Sequence, residues 1–212
     1  MMRYEDNSGQ LGFDALLRQA DDSNRQRAFE RETAHLPGGM DEALPFFRSL
    51  LEKHDEAMRS ADTERVFTLR EEARKLALRL NDGKPGILAG ENAPACVLER
   101  LTAAASGEIP LWGQAGEFVI DAAGTRAHIE MDGIFGIGCS VSFWPGFAAR
   151  CVDAGKPFIS ETGYRSFLGL HADAIDGMTP DSFTRAVLET YAVRDLKGRL
   201  VAVDRKFLSS DA

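Results

Sequence analysis

A chain of 212 residues with 44% hydrophobic and 27% charged residues has the apolar content to bury a sizeable core, which excludes global disorder. A formal net charge of -8 and a pI near 5.1 argue against nonspecific binding to nucleic-acid phosphates, which takes clustered Lys and Arg. No stretch is apolar for long enough to cross a bilayer, Met1 to Gln10 lack the apolar run of a secretory signal, and the scattered Cys96, Cys139 and Cys151 read as reduced thiols. The expected compartment is the cytoplasm.

Residues 1–40 read as a weakly structured arm, with one short helix around Phe13, Leu16 and Leu17, another around Ala28 and Phe29, and a stop at Pro37-Gly38-Gly39. A helical hairpin is expected over 41–82. Asp41 caps its first helix, which carries Ala43, Phe47, Leu50, Leu51 and Met58, tolerates Pro45 in the first turn and ends near Ser60. Asp62 caps the second, where Val66, Leu69, Ala73, Leu76 and Leu80 form one stripe before Asn81-Asp82-Gly83. Such a hairpin packs on its own core, or pairs with a second copy as a homodimer.

Residues 83–115 read as a linker followed by a short helix from Pro94 to Ala105. The period then changes to two. Glu117–Asp121 is a strand, Ala122-Ala123-Gly124 a turn, and Thr125–Met131 a strand with Ala127, Ile129 and Met131 on one face. Asp132-Gly133 signals a hairpin turn into a third strand, in which Cys139, Val141 and Phe143 alternate with Ser140, Ser142 and Trp144. Thr179-Pro180-Asp181 opens a helix through Phe183, Val187, Leu188 and Tyr191 that stops before Gly198, and Leu200–Val203 is a candidate returning strand. The fold class is therefore α+β, with a helical hairpin beside a small antiparallel meander, then a helix and a terminal strand over 116–212.

Signatures of chemistry are sparse. Gly133, Gly136 and Gly138 lead into an alternating segment rather than a helix and lack a following Lys-Ser/Thr, so they read as a turn or bulge and not as a phosphate loop. His35, His54, His128 and His171 are scattered, which gives no metal ligand spacing; His54 falls on the apolar side of its helix, and His128 and Glu130 share a strand face that His171 or Glu161 would join if the 158–171 segment folded over it. No His lies near Cys139 or Cys151, and no Gly-x-Ser-x-Gly elbow occurs. No cofactor or metal is expected.

The segment from Phe158 to His171 concentrates the reactive side chains. Phe158, Phe167 and Leu168 anchor a loop whose centre holds Ser160, Glu161, Thr162, Tyr164, Arg165 and Ser166. Arg165 and Glu161 either pair with each other, the simpler expectation, or face a ligand together with His171. Trp144, with Phe143 and Phe147, reads as an aromatic patch suited to a partner protein. The chain is accordingly read as an accessory or regulatory protein acting through protein contacts, with no direct nucleic-acid or membrane partner. A small enzyme or ligand-binding domain using the 158–171 loop is the alternative, and an acidic inhibitor of a nucleic-acid-binding protein is a weaker one.

Overall fold

The computed structural model describes residues 8–207 except 140 and 154, with side chains from Ala15 onward. The two short helices expected in the arm are one continuous helix, α1 (Ser8–Glu32). Its last turn is tied to the body: Thr33 is buried, Arg79 donates to its hydroxyl at 3.2 Å, and Lys75 pairs with Glu32. No Gly or Pro interrupts residues 13–32, so nothing in the local chemistry breaks the helix between Phe13 and Phe29. Phe13 itself lies outside the described side chains.

The hairpin follows as α2 (Met40–Arg59) and α3 (Thr63–Leu80). Gly39, not Asp41, is the residue before the first helical turn, because the Ala43 N–H already bonds the Gly39 carbonyl at 3.0 Å. Asp41 sits in the first turn, where the helix dipole favours a carboxylate. Asp62 caps α3 by accepting from the Arg65 N–H at 3.0 Å. Val66, Leu69, Ala73 and Leu76 are all but completely buried, and Leu80 is partly buried beside them. Each large apolar side chain withdrawn in this way contributes roughly 1.5–3 kcal/mol, and the stripe is spent inside the chain's own core. A short helix, α4 (Pro94–Thr102), ends earlier than expected, since Ala104 turns to pair its N–H with the Ala115 carbonyl at 2.9 Å.

Four strands form one antiparallel sheet in sequence order: β1 (Gly116–Ala122), β2 (Thr125–Met131), β3 (Phe147–Cys151) and β4 (Tyr164–Phe167). The β1–β2 turn places Ala123 at φ 51° and Gly124 at φ 77°, the two left-handed positions of a tight hairpin turn. Phe118 and Ile120 of β1, Ala127 and Ile129 of β2, and Phe147 and Ala149 of β3 face inward, where α5 (Pro180–Arg194) covers the sheet. A continuous apolar cluster runs from Leu36 through the hairpin and sheet to Leu188. The expected terminal strand reduces to one bridge between Val201 and Phe158, after which a 3₁₀ turn covers Arg205–Phe207.

The third strand is where sequence and structure part. β3 starts only at Phe147; residues 132–139 and 141–146 lie in a folded loop, with Val141 75% exposed and Trp144 1% exposed, the reverse of the alternation expected there. Ser140 lies outside the described residues. The cause is distant in sequence. Arg70, on the buried side of α3, gives one guanidinium nitrogen to the carbonyls of Cys139 (2.7 Å) and Ser142 (2.6 Å) and the other to that of Phe143 (2.7 Å). Glu99 of α4 accepts the Phe135 N–H at 3.1 Å, and Phe135 stacks on Phe47 with centroids 5.7 Å apart. These partners satisfy the loop's backbone groups better than a neighbouring strand edge would.

Arg70 also donates from Nε to His54 Nε2 at 3.0 Å, which fixes the imidazole proton on Nδ1, where it is donated to the Trp112 carbonyl at 2.7 Å. Gly113 permits this approach: at φ 88°, a Cβ there would stand 2.7 Å from His54 Nδ1. Burial, and then the Arg70 charge, push the His54 pKa from 6.5 to about 4, while the Trp112 bond acts in the opposite sense. Because the folded pKa is depressed, the unfolded chain takes up the proton first as the pH falls. The neutral ring therefore supports the fold fully above pH 6.5, and that support is lost as the pH falls toward 4. Burial raises the Glu99 and Asp132 carboxyls, which act in the opposite direction, so a variant comparison isolates the histidine. Between about pH 7 and about pH 4.5, urea unfolding should show the native chain losing on the order of 2.5 kcal/mol more than His54→Gln. Equal losses in the two proteins would remove His54 as the titrating group.

Candidate functional site

The residues singled out between Ser160 and His171 do not converge. Ser160 and Thr162 use their hydroxyls on each other (2.9 Å), and Thr162 then bonds both backbone groups of Tyr164, donating to its carbonyl at 2.9 Å and accepting from its N–H at 3.2 Å. The middle of the expected loop is thus a turn feeding a strand. Gly163 takes φ 70° there, and its carbonyl receives the Cys151 N–H at 2.8 Å.

Register sends alternate residues of β4 to opposite faces. Tyr164 lies on the outer face, where the Arg150 guanidinium sits 4.6 Å from its ring centroid. Arg150 bonds Glu130 at 2.6 Å, and His128 lies 3.3 Å from Glu117 and 4.0 Å from Glu130. These contacts form a polar ladder across all four strands; Glu117 is the carboxylate beside His128, and neither Glu161 nor His171 is among its partners. Arg165 opposes the inward-facing Ala149 in the ladder and lies over the Tyr191 ring at 4.6 Å. Among the described residues Glu161 and Arg165 form no ion pair; what Glu161 supplies is its carbonyl, bonded by the Asp204 N–H at 2.8 Å. Phe158 and Phe167 are buried as anchors, whereas Leu168 is 52% exposed.

Trp144 is not a surface patch. It stacks on Phe183 of α5 at 4.5 Å, meets Phe143 edge-on at 4.8 Å and Trp112 at 5.4 Å. Trp112 in turn donates from Nε1 to the Met178 carbonyl at 2.8 Å, linking this aromatic stack to the segment before α5. The Trp144 Nε1 has no acceptor among the described residues.

The stack forms the floor of an open groove of about 380 Å³ between α5 and residues 170–178. Its apolar walls come from Phe167, Ile175, Met178, Phe183, Val187 and Tyr191, and its rim from His171, Arg194 and Asp195. Arg165, lying over Tyr191, borders the same wall. Neither Arg165 nor Arg194 has a carboxylate at ion-pair distance among the described residues. Of the sequence candidates, then, Trp144, Arg165 and His171 gather at the groove, while Ser160, Glu161, Thr162 and Tyr164 do not. The i, i+4 pair Val187 and Tyr191 on α5 was the legible trace of the groove wall, though period alone does not distinguish it from core.

A second hollow of about 280 Å³, between α3 and the 134–139 turn, has Arg70, Arg74, Glu71 and Cys139 in its lining. Its polar groups are occupied: Arg70 by the loop, and Arg74 by Glu71 at 2.9 Å. Burial raises the Cys139 thiol to about 11, which keeps it protonated and poorly nucleophilic. Among the described residues no group of three or more His, Cys, Asp or Glu side chains is placed to hold a metal, and no helix is long and apolar enough to cross a membrane.

The protein is thus an α+β chain with helices ahead of a four-stranded antiparallel meander and a groove under its last helix. Residues 115–198, from just before β1 to just past α5, match the family described as KlcB third domain. The chain is similar to a protein KlcB of Escherichia coli, 30% identical over 181 residues, covering 84% of this chain and 43% of the relative. A second Escherichia coli protein KlcB is 38% identical over 104 residues, covering 49% of this chain and 21% of that protein. The chain therefore spans less than half the length of the curated relatives it matches, and the longer alignment reaches well into the helical region ahead of the sheet. No solved structure matches it.

A double-mutant cycle tests the separation of Glu161 from Arg165. Glu161→Ala and Arg165→Ala should each change unfolding free energy by less than about 1 kcal/mol, with a coupling below roughly 0.5 kcal/mol. A larger coupling would restore them as a pair.

Proposed function

We propose that this chain is an accessory protein that works by binding another protein, and that the groove beneath α5 receives an amphipathic helical segment of that partner. The observation that carries this reading is the groove's chemistry: an apolar floor of stacked aromatics with Arg194 and Asp195 in its lining and the Arg165 guanidinium over Tyr191, neither guanidinium having an ion-pair partner among the described residues. Apolar walls supply affinity for side chains spaced at i, i+3 and i+4, and unpaired cations at the rim select carboxylates beside them. The rest of the sheet surface offers less, because its outer face has already paired Glu117, His128, Glu130 and Arg150 among themselves. The match to a family described as a third domain, in relatives about twice as long or longer, fits a module that acts within a larger assembly.

Selection from a displayed library of helical peptides provides the test. The chain should enrich amphipathic sequences with apolar residues at i, i+3 and i+4 flanked by Asp or Glu. Val187→Asp, or Arg165→Glu combined with Arg194→Glu, should weaken the selected peptides at least tenfold. Peptides that bind the native chain and both groove variants equally would place the contact elsewhere and sink the reading.

A further inference from the structure

We infer that in the free protein this groove is occupied by α1 of a second copy, each chain of a two-fold dimer lending its first helix to the other; this rests on the groove reading above. Every described side chain from Ala15 to Ala28 is exposed, and up to Gln26, whose side chain approaches Gly83, about three turns of α1 stand clear of the body that holds its C-terminal end. Isolated helices of this length draw most of their stability from docking an apolar face, and α1 docks only its last turn. Leu16 and Leu17 are 64% and 48% exposed on it. Leu17 stands one turn from Ala20 and Asp21, which places an apolar anchor and a carboxylate on one face.

The charges of helix and groove correspond. Asp22 is taken by Arg25 at 2.6 Å, but Asp21 and Arg18, in the turn that follows the Leu17 anchor, have no ion-pair partner among the described residues. The groove rim offers Arg194 and Asp195, again one of each sign and each without an ion-pair partner. A helix of 25 residues is about 37 Å long at 1.5 Å per residue, enough to cross from one body to a neighbour. A reciprocal exchange closes on two copies and leaves no free groove, so it also regulates: a partner helix has to displace α1.

Sedimentation velocity over the low- to high-micromolar range tests this on the full chain. The native protein should sediment as a dimer. Leu16→Asp combined with Leu17→Asp changes only exposed positions, keeps the fold by circular dichroism, and should sediment as a single chain. Asp21→Arg and Arg194→Asp should each weaken self-association about tenfold, and the two together in one chain should restore it. A native chain that stays monomeric throughout, or a dimer that survives both the α1 and the rim variants, overturns the inference. The peptide selection is then run on the Leu16→Asp/Leu17→Asp chain. Binding at the groove there, without any native dimer, removes α1 as the occupant and leaves the groove reading standing, while loss of both removes both.

Discussion

One buried guanidinium organises this molecule. Arg70 spends its N–H donors on His54 Nε2, the Met58 sulfur and the carbonyls of Cys139, Ser142 and Phe143, and no carboxylate is among its partners. A charge taken out of water without a counter-ion is costly unless dipoles surround it. Here the carbonyls do so, and their convergence shapes residues 132–146. That shape delivers Trp144 to the stack with Phe183, and the stack is the floor of the groove. Arg70 therefore ties the helical hairpin to the candidate site, with His54 as its neutral second partner and the Trp112 carbonyl as the link onward, beside the bonds from the Trp112 N–H to Asp55 and from the Gly177 N–H to the Arg59 carbonyl.

The two faces of the sheet divide the charged residues unequally. On the outer face, Glu117, His128, Glu130, Arg150 and Tyr164 contact one another at the surface, where such pairs contribute little to stability. On the α5 side, Arg165 and Arg194 lie at the edge of apolar surface with no partner supplied by the described residues. An acidic chain that leaves cations unpaired beside a greasy groove is complementary there to surfaces unlike most of its own.

Much of the fold was legible because its determinants are local. The Val66 to Leu80 stripe, the Asp62 cap, the alternation through Ala127 and Ile129, and the Thr179-Pro180-Asp181 helix start each depend on neighbours within one turn or one strand. The third strand was misread because Cys139, Val141 and Phe143 alternate like a strand, while Arg70, which captures the carbonyls of Cys139, Ser142 and Phe143, sits on α3. A trace of this was visible: Arg70 lies within the buried stripe, between Leu69 and Ala73, where a charge needs a partner. The candidate site was read only in part for a similar reason. Arg165 and His171 were singled out, but their association with Val187, Tyr191 and Arg194 depends on how α5 crosses the sheet, and Glu161 and Arg165 were joined on sequence proximity that the turn through Ser160 and Thr162 undoes.

The hydroxyl of Thr162 has a wider consequence. β4 is an outermost strand, and an unclaimed row of amide and carbonyl groups on such a strand is a template on which another chain can extend the sheet. Thr162 occupies both backbone groups of Tyr164, so the first rung of that template is already filled from within. Together with the brevity of the strand, this discourages runaway edge-to-edge growth into fibrils along β4.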